Sequence, residues 1–323
     1  MMVLEKKTLL VGEPMGLFIA QSKGPLEDVA DYSMALAGAE FNVAIGMRRL
    51  GHEVGFLTKL GKDPFGRRVA KTMEANGIST ELITYSDDRT TGFMLKSMVD
   101  QGDPEIFYYR KNSAASTLCG RDVENLDFSQ YDTIHMTGIT PALTDSTREA
   151  VQVLLTKARQ NHMLFSFDPN LRPQLWESRE KMVRYMNDMA GKCDIFLPGI
   201  KEAIILLGIT EPEKIADAYR KMGAKTVIVK LGADGAYYCG AEGCGHVPGW
   251  PVKKIVDTVG AGDGFAAGVL TALKEGLPLR EAVSRGNAIG AIQLMSRGDN
   301  DGLPTAKELK EFMNGNPDWR VTQ

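Results

Sequence analysis

Apolar residues in this chain fall in short blocks separated by longer amphipathic stretches. Thr8–Val11, Val54–Leu57, Thr133–Met136, Met163–Phe167, Asp194–Leu197 and Thr226–Val229 are nearly continuous apolar runs. They are too short for helices and lack the alternation of a half-exposed strand, so they predict strands buried on both faces. Between them, Asn42–Leu50, Gly66–Ala75, Ser146–Arg159, Arg179–Ala190, Lys201–Leu207 and Glu213–Lys221 carry helical spacing. Ser146 with Glu149 three residues on has the form of a capping box. The strand–helix alternation predicts an α/β fold, a mostly parallel sheet with helices on both faces. Ligands of such sheets lie outside the carboxyl ends of the strands. Asp168-Pro169-Asn170, Gly199 and Gly232–Gly235 follow those ends here.

Two segments break the alternation. Met15–Leu36 has a poor helical pattern. Thr90–Arg110 reads as a hairpin of Gly92–Val99 and Ile106–Arg110 around a turn at Asp100–Pro104. Insertions at about 15–36 and 90–112 are expected to pair into a small β lid, since long structureless loops are uncommon in compact domains. No linker, repeat or low-complexity tract interrupts residues 1–323, so a single domain is expected. A net charge of −3 gives no basic surplus for nucleic acid. The Leu9–Val11 run is too short for a signal peptide or membrane span. Cys239 and Cys244 have no second pair of ligands for zinc and read as incidental thiols; His52, His135, His162 and His246 show no metal spacing. A reduced, cytoplasmic setting follows as the expectation.

The most informative stretch is Asp257-Thr-Val-Gly260-Ala261-Gly262-Asp263, which leads into Phe265, Ala266, Val269, Leu270 and Leu273 at helical spacing. Gly276 and Pro278 supply the stop. Small residues at a helix start leave free backbone amides at the positive end of the dipole, a site for phosphate oxygens. Asp263 reads by itself as an ordinary first-turn carboxylate. Next to an anion cradle it is also where a base for phosphoryl transfer is needed.

The Asp257–Asp263 stretch resembles the C-terminal motif of the ribokinase/PfkB sugar-kinase family. Ala37-Gly38-Ala39-Glu40-Phe41-Asn42, Leu50-Gly51 and Leu60–Gly66 resemble its N-terminal motif, and Lys230–Gly235 its nucleotide-side loop. The resemblance implies a ribokinase-like three-layer αβα (Rossmann-like) core with a small β-sheet lid. It implies ATP as donor with Mg²⁺, Asp263 as the base, and Gly260, Ala261 and Gly262 as the anion hole. Lys230, Gly232, Gly235 and Asn287 are then expected at the nucleotide. Glu202 matches the Glu of an Asn-x-x-Glu motif that organises magnesium through water, although Gly199 stands where that motif has Asn. Asp257 and Ser296–Asp299 match a region that holds a potassium-like cation.

Ile106, Tyr108 and Arg110 share one strand face and Phe107 and Tyr109 the other. An Arg in an apolar strand needs a partner, either a protein carboxylate or an acidic substrate. Arg172, after Asp168-Pro-Asn-Leu, has the same two readings: a partner such as Asp168, or a sugar acid. Tyr108–Ser116 and Arg297–Pro304 resemble 2-keto-3-deoxygluconate kinases. That resemblance implies substrate contacts from Gly38, Asn42, Tyr108, Arg110, Arg172 and Asp299, with Met94 where relatives often place Tyr. A neutral-sugar kinase (fructose or ribose) is the main alternative, and a non-catalytic sugar or nucleotide binder the second. The outward lid face with Phe107 and Tyr109 is expected to meet a second copy of the chain.

Overall fold

The structure is a computed structural model and describes residues 6–99 and 104–315. In chain order the elements are β1 (Lys7–Val11), β2 (Met15–Ala20), β3 (Tyr32–Ala37), α1 (Ala39–Arg49), β4 (Val54–Gly61), α2 (Pro64–Ala75), β5 (Ile83–Ser86), β6 (Phe93–Lys96) and β7 (Ile106–Tyr109). There follow α3 (Gly120–Glu124), β8 (Tyr131–Thr137), α4 (Ile139–Leu143), α5 (Asp145–Gln160), β9 (Leu164–Asp168), α6 (Arg179–Ala190), β10 (Ile195–Phe196), α7 (Ile200–Leu207) and α8 (Pro212–Met222). The last elements are β11 (Thr226–Lys230), β12 (Ala236–Gly240), β13 (Gly243–Val247), α9 (Ala261–Lys274), α10 (Leu279–Leu294) and α11 (Ala306–Met313).

A nine-stranded sheet runs β13-β12-β11-β10-β9-β8-β1-β4-β5. It is parallel from β11 to β5, and β12 and β13 add an antiparallel edge. Neighbouring residues of β1 feed opposite cores. Leu9 and Val11 pack with Leu154 of α5, Met186 of α6 and Ile215 of α8. Leu10 packs with Phe41 of α1, Phe265 of α9 and Ile289 of α10. That period-two split of a continuous apolar run makes the three αβα layers.

The two insertions form a separate four-stranded sheet, β3-β2-β6-β7. Met15, Leu17, Ala37 and Met94 give it a small core of its own. Most of the expected turn, residues 100–103, lies outside the described residues.

Two local expectations are corrected. The N-cap of α5 is Thr144, which accepts from Thr147 N, and not Ser146; the helix starts earlier because Thr144 is the residue with extended backbone. Cys239 and Cys244 are joined by a disulfide, not separate thiols, because β12 and β13 place them directly opposite in the hairpin. Among the described residues no helix is long and apolar enough to cross a membrane.

Candidate active site

A cavity of about 320 Å³ lies between the small sheet and the carboxyl ends of the large one. Its floor comes from the ends of β9 and β11 and the N-termini of α1 and α9; its roof comes from β2, β6 and β7.

At the floor, Gly260 caps α9 in the left-handed region, at φ 78°. A Cβ there would run into the carbonyl of Asp299, so glycine is required by conformation and by space. The first turn closes from Gly264 N to Gly260 O at 2.9 Å, and the preceding amides are the orphan donors of a helix start. Lys230 Nζ stands 3.6 Å from where a Cβ on Gly262 would lie. The turn thus offers backbone amides, a helix dipole and an ammonium to one anion. Lys230 is also ion-paired with Asp168. Burial opposes the charged ammonium, but Asp168 and Glu202 outweigh it and raise its pKa.

Asp263 Oδ2 accepts from Asn42 Nδ2 at 2.7 Å, and Asn42 Oδ1 accepts from Asn300 Nδ2 at 3.0 Å. Residues far apart in sequence therefore fix the carboxylate. Burial pushes its pKa up to about 7, with the charges of Asp168 and Asp299 adding to the rise and the Asn42 hydrogen bond opposing it. Burial likewise raises Asp168, against Lys230, and raises Asp299 to about 6, against Lys96. Carboxylates raised by their surroundings in one cleft are the signature expected of proton-transfer groups.

The roof brings Met94, Ile106, Tyr108 and Arg110 to the cavity, while Phe107 and Tyr109 are exposed on the other face. Arg110 has a buried partner that sequence reading missed. Its Nε and Nη2 both donate to Glu13 Oε2, at 2.8 and 2.5 Å, and Ser113 Oγ donates to Glu13 Oε1 at 2.5 Å. The signal was present in a charged residue lodged between the β1 apolar run and Pro14. Arg172 differs. It donates to the carbonyls of Leu171 at 2.9 Å and Asn170 at 3.4 Å, and among the described residues it has no carboxylate partner. Both arginines line the same cavity, but only Arg172 brings an uncompensated charge. Gly38, at φ 136°, lines it too; a Cβ there would come within 2.8 Å of the Glu13 carbonyl.

Other expected residues fall around the cavity. Glu202 lines it, with Oε1 accepting from Leu171 N and Oε2 from Gly199 N, both at 2.8 Å. Each oxygen keeps a lone pair for a metal-bound water. Gly232, Gly235 and Asn287 are not among the lining residues. Asn287 Nδ2 donates to Val247 O and Pro248 O at 3.2 and 3.1 Å, and a Cβ on Gly235 would meet that same Val247 carbonyl. They form one loop cluster at the ends of β11 and β13, beside the floor. Asp257 is taken by a residue not singled out in the sequence: Lys96 Nζ lies 2.6 Å from Asp257 Oδ2 and 3.5 Å from Asp299 Oδ1.

A raised carboxylate beside a helix-start anion site, with a cation at that site and a lid over a polar pocket, defines a phosphotransferase of the ribokinase-like class. The family model for pfkB family carbohydrate kinases matches residues 5–306, and the chain belongs to that family. It is 44% identical over 304 residues to the 2-dehydro-3-deoxygluconokinase of Bacillus subtilis (strain 168), covering 94% of each chain. Among solved structures, the PfkB protein from Polaromonas sp. JS666 superposes with a TM-score of 0.86 at 42% identity, over 94% of this chain and 99% of that one. A putative ribokinase II from E. coli, in complex with ATP and Mg²⁺, gives a TM-score of 0.89 at 26% identity, over 96% of this chain and 100% of that one.

Proposed function

We propose that this kinase phosphorylates 2-keto-3-deoxygluconate at its terminal hydroxyl, with ATP as donor, giving the 6-phosphate and ADP. Arg172 carries the reading: its guanidinium lines the cavity, donates from Nη1 to two carbonyls and has no carboxylate partner among the described residues, so its remaining donors can meet a substrate carboxylate. The activity named for the relative that shares 44% of its residues is the same reaction. Arg110, neutralised by Glu13, shapes the roof with Tyr108, whose ring lies 5.5 Å from its guanidinium carbon.

In the mechanism, Asp263 takes the proton of the attacking hydroxyl as the oxygen bonds to the γ-phosphorus, while the bond from that phosphorus to the β–γ bridging oxygen breaks and ADP leaves with the electron pair. The Gly260–Gly262 amides and Lys230 hold the transferring group, whose charge spreads over its outer oxygens. Glu202, in the cavity lining, would hold Mg²⁺ through water, and the metal would supply positive charge to offset that of the phosphates. The lid excludes water, which limits transfer to solvent. The protein is taken to act in the cytoplasm, where ATP is supplied.

The test is a coupled ADP-release assay with Mg-ATP, comparing 2-keto-3-deoxygluconate, fructose and ribose. The keto acid is expected to give the highest kcat/KM. Preference for a neutral sugar would keep Asp263 as base and remove the role given to Arg172. We also propose that the outer lid face, with Phe107 54% and Tyr109 48% exposed, pairs with a second copy. Light scattering should give a dimer mass that Phe107→Lys converts to monomer; a monomer at all concentrations refutes the pairing.

A further inference from the structure

Lys96 is only 3% exposed, yet it ends a lid strand and not a strand of the core. It shares the inner face of β6 with Met94 and reaches across to Asp257 and Asp299. These two carboxylates flank the anion-binding turn. Asp257 lies three residues before Gly260, and the Asp299 carbonyl is what a Cβ on Gly260 would strike. The same loops are tied from beneath by buried Gln293, whose Nε2 donates to Gly298 O at 2.8 Å and Val259 O at 3.3 Å.

The potassium-like cation implied at Asp257 does not fit this arrangement. The Lys96 ammonium, 2.6 Å from Asp257 Oδ2 and 3.5 Å from Asp299 Oδ1, already supplies the positive charge between the two carboxylates, and a second cation there would meet its repulsion. We propose that Lys96 is a positioning residue, a built-in cation that stands in place of a free monovalent ion between the Asp257 and Asp299 loops and holds the anion-binding turn in shape. The inference rests on the kinase reading of the cavity. An ammonium on a lysine stem is a compact point charge, so it can donate to Asp257 while standing within ion-pair range of Asp299. Being covalently tethered, it is present whatever the salt composition. Because β6 is a lid strand, the same ammonium ties the lid to the phosphate-binding turn.

The experiment compares wild type with Lys96→Met in potassium, ammonium and tetramethylammonium chlorides, by ADP release and by melting temperature. Wild-type kcat should agree within about twofold across salts of matched screening. In tetramethylammonium the variant should lose about 10–100-fold in kcat, the scale of a small misplacement of reacting groups. Potassium or ammonium should restore part of that loss, and raise the variant's Tm by about 2–4 °C through occupation of the vacated position, with no such rise in wild type. Marked activation of wild type by potassium overturns the proposal. So does wild-type kcat for Lys96→Met in tetramethylammonium, or a variant Tm indifferent to all three cations. If wild type releases no ADP the kinase reading fails, and the melting comparison alone still decides whether the ammonium replaces an ion.

Discussion

Asp263→Asn lowers kcat by about 10²–10⁴-fold, the usual contribution of a positioned general base, while ATP binding measured by calorimetry stays near wild type. The separation follows from geometry: the amides of the Gly260 turn and Lys230 remain, and only the proton acceptor is lost. Stability should hold or rise, since the substitution removes a buried charge that faces Asp168 and Asp299. A fall in kcat accompanied by a collapsed Tm would point to misfolding and not to a lost base. The pH dependence has a definite sign. The proposed base must be the carboxylate, and burial raises the Asp263 pKa to about 7. Wild-type kcat/KM should therefore climb as pH rises through about 7 and level off above it. A profile flat from well below that value would exclude Asp263 as the base.

The two cavity arginines should fail in different ways when replaced. Arg172→Leu should lower kcat/KM for the keto acid by about 10–100-fold, the range for a hydrogen bond to a charged group, with little change in Tm. The side chain is partly exposed and its partners are two carbonyls, so the fold loses little. Arg110→Met should instead destabilise the protein by about 3–5 kcal/mol, because it strands Glu13, 3% exposed, without its counter-charge. Glu13→Gln added to Arg110→Met should recover part of that loss. Thermal melts with keto-acid kinetics on the same preparations read both effects; equal Tm losses for Arg110→Met and Arg172→Leu would contradict the assignment.

Most of the large sheet was legible because its strands are continuous apolar runs between amphipathic helices, as at Thr226–Val229, which follows helix Pro212–Met222 and forms β11. Less visible was the β12–β13 hairpin, where Gly240, Gly243 and Gly245 dilute the strand signal. The small helix-start motif could be read because amides, glycine and carboxylate are local in sequence. The partners of its neighbours could not. Glu13–Arg110 spans 97 residues and Lys96–Asp257 spans 161, and nothing at either end announces the other. An arginine in a strand shows only that a counter-charge is needed. Whether that counter-charge is protein or substrate depends on which loops the topology brings together.

The alternation of the lid has an evolutionary consequence. Phe93 of β6 and Tyr109 of β7 stack at 4.6 Å across the strand pair, and Phe107 lies 5.1 Å from Tyr109 along β7, so the outward rings help hold the two strands together. The intervening inward positions, Met94, Ile106 and Tyr108, line the cavity proposed for the acceptor. Drift at those inward sites can retune which acceptor is accepted while the outer rings keep the strands paired and Asp263 is untouched. A lineage carrying this lid can diversify its diet by a few substitutions, and saturation libraries restricted to those three codons would retrace that path.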